Sequence, residues 1–279
     1  MAARERTQAT REGVPTRVRW AIHDGLVLTK RNLLRYVRIP TLLVFSTVQP
    51  VMFVLLFRYV FGGAIGGLPP GVSYVDFLIP GIIIQTAIFG ATQTGIGLAE
   101  DLNAGIIDRF RSLPMDRAAV LAGRTTADLF RNLFVVLLMI GVGYLTGFRF
   151  SNGPLMALLG IGLGISVGFA FSWISATIGL AIKNLEAVQA ASFIWIFPLT
   201  FASSAFVPII AMPDWLQVIA RNNPVTIWAN TLRVLAIGDA YLSYLRVETT
   251  LGLLVKSGLW IAAILAVFVP LSIRIYRRT

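Results

Sequence analysis

Residue types that carry covalent or metal chemistry are nearly missing from this chain. It has no Cys and a single His, His23, which rules out thiolate nucleophiles and every Cys-based metal or iron–sulfur site. No Walker motif, GxSxG elbow, HExxH or pair of carboxylates inside an apolar segment occurs. The run Gly62-Gly63-Ala64-Ile65-Gly66-Gly67 has the glycines of a phosphate loop but no following Gly-Lys-Ser/Thr, and reads as a flexible turn. The chemistry left is noncovalent, and two constellations offer it. Gln85, Gln93 and Ser204 stand with Phe197 and Phe201 in charge-free apolar stretches, a set that suits a cavity for bulky apolar molecules; simple helix packing would use the same residues. Leu102, Ile106, Phe110 and Leu113 fall at helical spacing with Asp101, Asp108, Arg109 and Arg111 around them, and Pro114 closes the stretch. Such a helix could dock a soluble partner through its apolar face, or form an ordinary charged loop; the pattern leaves both open.

The elements that must position these residues belong to a bilayer. Of 279 residues 56% are hydrophobic and only 13% charged, about half the charge of a soluble domain. Six charge-poor windows approach the ~20 residues that a membrane span requires: 41–61, 77–98, 133–148, 155–182, 188–211 and 251–273. The third is short unless its helix begins near Ala118 as a cytoplasmic stem, along which Arg124, Asp128 and Arg131 pair locally. An even number of spans puts both termini on one side. Eighteen of the 24 basic residues lie in the N-terminal segment, the second and fourth connections and the C-terminal tail, which assigns those segments to the cytoplasm. The net charge of +11 is matched by anionic lipid headgroups rather than by nucleic acid. Helix centres free of ionisable residues argue against a proton-driven carrier, so uphill transport would draw its energy from another chain.

Between the spans, residues 17–38 read as an amphipathic interfacial helix, with Pro40 turning the chain into the membrane. The domain division is therefore a cytoplasmic tail and interfacial helix over 1–40 and a six-helix membrane domain over 41–279. The 211–250 connection predicts one helix from Pro213-Asp214 through Arg221, a break at Asn222-Asn223-Pro224, and a second helix over 225–237 stopped by Gly238. Its low charge fits a pair that dips back into the outer leaflet under a cover of protein.

Taken in order, these features resemble the membrane-spanning subunits of type-2 (ABC-2) ATP-binding-cassette exporters, particularly the daunorubicin-resistance-type permeases. The resemblance is carried by the interfacial helix, six spans, Glu100, Gly105, Arg109 and Leu113-Pro114-Met115, the Gly147-Phe148-Arg149-Phe150 turn, and Pro213, Trp215, Asn223-Pro224 and Arg233. It implies an all-α integral membrane protein with an N-terminal interfacial helix, a cytoplasmic coupling helix and a re-entrant helical pair before the last span. It implies a permease that moves hydrophobic or amphipathic drugs, antibiotics or lipids across a bacterial plasma membrane by alternating access. The coupling helix would be Leu102, Ile106, Arg109, Phe110 and Leu113, and the cargo path Gln85, Gln93, Phe197, Phe201 and Ser204. No catalytic or metal-binding residue is expected. ATP and Mg would bind two copies of a partner ATPase, beneath two permease protomers. A polysaccharide-exporting permease and a non-transport membrane subunit coupled to an ATPase are the alternatives.

Overall fold

The structure is a computed structural model; it describes residues 27–34, 38, 40–62, 64–68, 70–106, 117–182, 184–245 and 249–278. Among the described residues the regular elements are helices. A short helix, α1, covers 27–34. Helix α2 (Pro40–Leu56) runs directly into a π-turn at Phe57–Phe61. The long helix α3 (Tyr74–Asn103) starts at Ser73, whose side chain accepts from the Asp76 N–H at 3.2 Å, and Asp76 suits the positive end of the helix. Its 30 residues would span about 45 Å, more than the ~30 Å hydrocarbon core, so it extends beyond the membrane.

Helix α4 (Arg117–Leu145) is the continuous stem and span that the short third window requires. A tight turn with Gly147 at φ 101° and Gly153 at φ 88° leads into α5 (Pro154–Ile182), and Asn184 caps α6 (Leu185–Phe201). Then come α7 (Asp214–Asn222), α8 (Pro224–Ile237), α9 (Asp239–Leu245) and α10 (Thr250–Arg278). Asn223 caps α8 and Gly238 at φ 78° stops it, as the sequence pattern predicts.

Helix α3 is the axle of the bundle, with 78% of its apolar window buried against 11% for α10, which stands at the lipid-facing periphery. It packs on α4, α5, α6 and α8. Glycines let the backbones touch: a Cβ on Gly95 would collide with the Ser175 carbonyl of α5, and one on Gly179 would strike Gly95 in turn.

The structure departs from the sequence expectations in four places. Four helices are long and apolar enough to cross a membrane, Tyr74–Asn103, Gly123–Leu145, Pro154–Ile182 and Thr250–Tyr276, whereas the first and fifth windows form shorter apolar helices. The fifth window stops being helical at Phe201 instead of running to Ala211. Pro198 and Pro208 bound the change, and the Thr200 and Ser203 hydroxyls donate to the Ile196 and Thr200 carbonyls, offering the backbone an alternative to helix. The face drawn through Leu102, Ile106, Phe110 and Leu113 is not one continuous helix at its start, since Gly105 at φ 65° turns the chain between Leu102 and Ile106. Asp128 and Arg131, expected on a solvated stem, are buried at 1% and 4% exposure. The interfacial helix of 17–38 falls within the described residues only over 27–34 and at 38, where Leu28 and Thr29 are buried against the bundle.

Candidate functional site

Three arrangements follow the length of α3. The first is a row of phenylalanines on the outside of the protomer. Phe61 meets Phe57 at 5.3 Å between ring centres, Phe57 stacks on Phe206 at 4.7 Å, Phe206 on Phe201 at 5.2 Å, and Phe201 on Phe197 at 5.6 Å. Phe197 then meets Phe193 at 5.6 Å and, edge-on, Phe89 at 5.3 Å. Offset and edge contacts of this kind stabilise by about 1 kcal/mol per pair beyond area burial. The row draws on α2, its π-turn, the chain after α6, α6 itself and α3. Phe197 and Phe201 remain 42% and 43% exposed, so the protomer alone leaves its longest aromatic surface uncovered. Gln85, Phe89 and Gln93 follow one line on α3 at four-residue spacing. Gln93 is exposed beside the row, whereas Gln85 is buried with its amide nitrogen lacking a hydrogen-bond partner.

The second arrangement closes the break after α6. Arg233 of α8 is fully buried, and its guanidinium donates to five neutral acceptors: the Phe77 carbonyl (2.8 Å), Ser204 Oγ (3.1 Å), Asn230 Oδ1 (2.9 Å) and the Ser204 and Ala205 carbonyls (2.6 and 3.2 Å). Its planar face lies 3.5 Å from the centre of the Phe77 ring. Asn223 donates to the Leu199 and Ala202 carbonyls at 2.7 and 3.0 Å, and Thr226 Oγ1 accepts from the Ser204 N–H at 2.9 Å. Asn223, Thr226, Asn230 and Arg233 therefore form one polar stripe on α8 that satisfies backbone which the broken helix leaves bare. Non-helical chain at membrane depth requires such cover. Ser204 thus faces this knot. Tyr241 donates to Asn230 Oδ1 at 3.0 Å, and burial pushes its phenol above its ordinary pKa, keeping it a neutral donor.

The third arrangement lies at the other end of α3. Asp101 pairs with Arg124 of α4 at 3.2 Å and with Arg31 of α1 at 3.8 Å. Gly97 leaves room for the Arg124 guanidinium, which a Cβ there would displace. Deeper in, Thr94 donates to Asp128, which pairs with Arg131 at 3.8 Å, and Arg131 donates to the Gly90 carbonyl. Leu102 packs beside Leu28, Leu98, Trp173 and Tyr276, and Ile106 is half-buried. Arg109, Phe110 and Leu113 lie outside the described residues. No cluster of three or more His, Asp or Glu side chains occurs among the described residues.

The structure thus unites Phe197 and Phe201 in one stack, sets Gln93 beside it, and gives Gln85 and Ser204 to the interior. The buried layer of Thr94, Asp128 and Arg131 escaped sequence reasoning because its partners lie 34 residues apart. The α8 stripe was visible as four polar residues at three- and four-residue spacing in an otherwise apolar helix.

A central helix tied at both ends, apolar spans around it and a re-entrant pair define a multi-pass α-helical membrane protein without catalytic machinery among its described residues. The chain belongs to the ABC-2 type transporter family, which matches residues 24–237. It is 34% identical over 257 residues to the daunorubicin resistance ABC transporter permease protein DrrB1 of Streptomyces coeruleorubidus, covering 92% of this chain and 87% of that protein. It is 29% identical over 273 residues to the probable doxorubicin resistance ABC transporter permease protein DrrC of Mycobacterium tuberculosis, covering 95% and 92%. A more distant relative is the inner membrane transport permease YadH of Escherichia coli K12, 24% identical over 220 residues, with 75% and 81% covered. The protein is the permease subunit of an ABC exporter, and its family works with an ABC ATPase.

Proposed function

We propose that this permease exports hydrophobic or amphipathic compounds along the phenylalanine row, with two protomers placing their rows opposite each other. The supporting observation is that row, continuous from Phe61 to Phe89 and half-exposed on a single chain. Daunorubicin and doxorubicin, which the names of two relatives carry, are flat ring systems that stacked phenylalanines suit. Neutral Gln93 adds a donor and an acceptor without placing an unpaired charge in an apolar path. Two ATPase subunits bind ATP and Mg, and contact the permease through Leu102, Ile106, Arg109, Phe110 and Leu113. Both termini face the cytoplasm of a bacterial cell. Closure of the ATPases moves the cytoplasmic end of α3. The Asp101–Arg124 and Thr94–Asp128 contacts carry α4 with it, and α3 transmits the motion to Phe77 and the Arg233 knot. The cavity then opens outward, a change between two packed states rather than a reaction.

A chain without cysteine permits a clean test. The single variant Phe201→Cys in the assembled complex should cross-link between protomers through a bifunctional thiol reagent without ATP, and much less with trapped ATP. Absence of cross-linking in both states would overturn the facing-row arrangement.

A further inference from the structure

At the end of the bundle opposite the termini, a cavity of ≈ 1010 Å³ opens between the re-entrant helices and α10, away from the phenylalanine row. Its walls are apolar, among them Ile210, Leu253, Leu259 and Trp260, and its two charged groups are the cations Arg221 and Lys256. None of the residues lining it is acidic. The side-chain contact of Arg221 is neutral, to Gln217 Oε1 at 3.2 Å.

The depth of this cavity follows from α10. Lys256 and Arg274 lie on the same unbroken helix, 18 residues apart, which is about 27 Å along the axis. With Arg274 at the headgroups beside the C-terminus, Lys256 reaches the opposite edge of a hydrocarbon core about 30 Å thick. Leu259 and Trp260 come next toward the bilayer centre, 64% and 41% exposed, where an acyl chain would lie. Trp260 is a residue type that favours this boundary. Two cations at phosphate depth above an apolar wall, on the helix least buried by protein, match one class of ligand.

We propose that this cavity binds an anionic phospholipid of the leaflet opposite the termini, its phosphate held between Arg221 and Lys256 and an acyl chain laid along Leu259 and Trp260. Attraction of each cation for an acidic headgroup supplies about fivefold in affinity, so the pair supplies about 25-fold. The lipid would fasten α7 to α10 and so steady the re-entrant pair from its lipid side.

Native mass spectrometry of the delipidated full-length chain, titrated with dioleoyl-phosphatidylglycerol or dioleoyl-phosphatidylcholine, tests this directly. The wild type should retain phosphatidylglycerol in preference, and Arg221→Gln with Lys256→Gln should reduce that preference about 25-fold, toward the phosphatidylcholine level. Arg149→Gln, which removes an exposed cation elsewhere, should keep it, and so should Phe197→Ala with Phe201→Ala, which separates this site from the cargo path. Unchanged phosphatidylglycerol preference in the double Gln variant would overturn the proposal. Displacement of the lipid by equimolar inorganic phosphate would overturn it in favour of a soluble anion. A change of oligomeric state in place of lipid loss would show that a second copy covers the cavity.

Discussion

The two ends of α3 are secured by different physics. At the end near α1, charges meet charges: Asp101 lies between Arg124 and Arg31, with Arg31 still 44% exposed, so water and salt share the interaction. At the other end Arg233 meets no carboxylate among the described residues and acts as a fan of donors for carbonyls without helical partners. The first kind of contact is modest in energy and easily rearranged. The second cannot be released without stranding buried backbone. A permease whose ATPase pushes on one end needs this asymmetry, with a coupling end that can shift and a far end that holds its shape while it moves.

Arg233→Ala attacks the stronger end and should have the largest effect. It orphans the buried Ser204 and Ala205 carbonyls at about 1–3 kcal/mol each, a loss of roughly 2–6 kcal/mol that would appear as collapsed folded yield and a much lower thermal midpoint in detergent. Arg233→Lys should recover only part of it, because an ammonium has three donors and no plane to stack on Phe77. Gly95→Ala strikes between the ends and wedges α3 from α5, at about 1–3 kcal/mol in the same unfolding measurement. Asp101→Asn should cost about 1 kcal/mol or less, leave yield intact, and lower the amount of cargo moved per ATP hydrolysed. Gly97→Ala sharpens that result, since it displaces the Arg124 guanidinium while keeping both charges; its coupling defect should match that of Asp101→Asn.

The same contrast explains what could be read from the sequence. Helix boundaries around α7 and α8 were legible because Asp214, Asn222-Asn223-Pro224 and Gly238 are local signals whose effects stay local. The stem of α4 was legible because 133–148 is too short to span. The end of α6 was not: hydropathy continues past Phe201, and what ends the helix is a set of donors on α8, 21 to 29 residues further along. The candidate cargo residues divide likewise. Phe197 and Phe201 could be grouped by helical spacing alone, but the partner of Ser204 depends on where Arg233 folds, and nothing near position 204 announces it.

The central claim is that cargo leaves along the phenylalanine row. Its most direct test is ATP-driven movement of doxorubicin and of a fluorescent phospholipid in proteoliposomes containing the permease with its ATPase. Phe197→Ala with Phe201→Ala is compared with Ile194→Ala, which truncates a residue 75% exposed on the same helix but outside the row. Loss of two aromatic contacts of about 1 kcal/mol each should reduce transport roughly tenfold or more, with basal ATP hydrolysis and folded yield unchanged and Ile194→Ala near wild type. Wild-type transport of every cargo by the double variant would contradict the account.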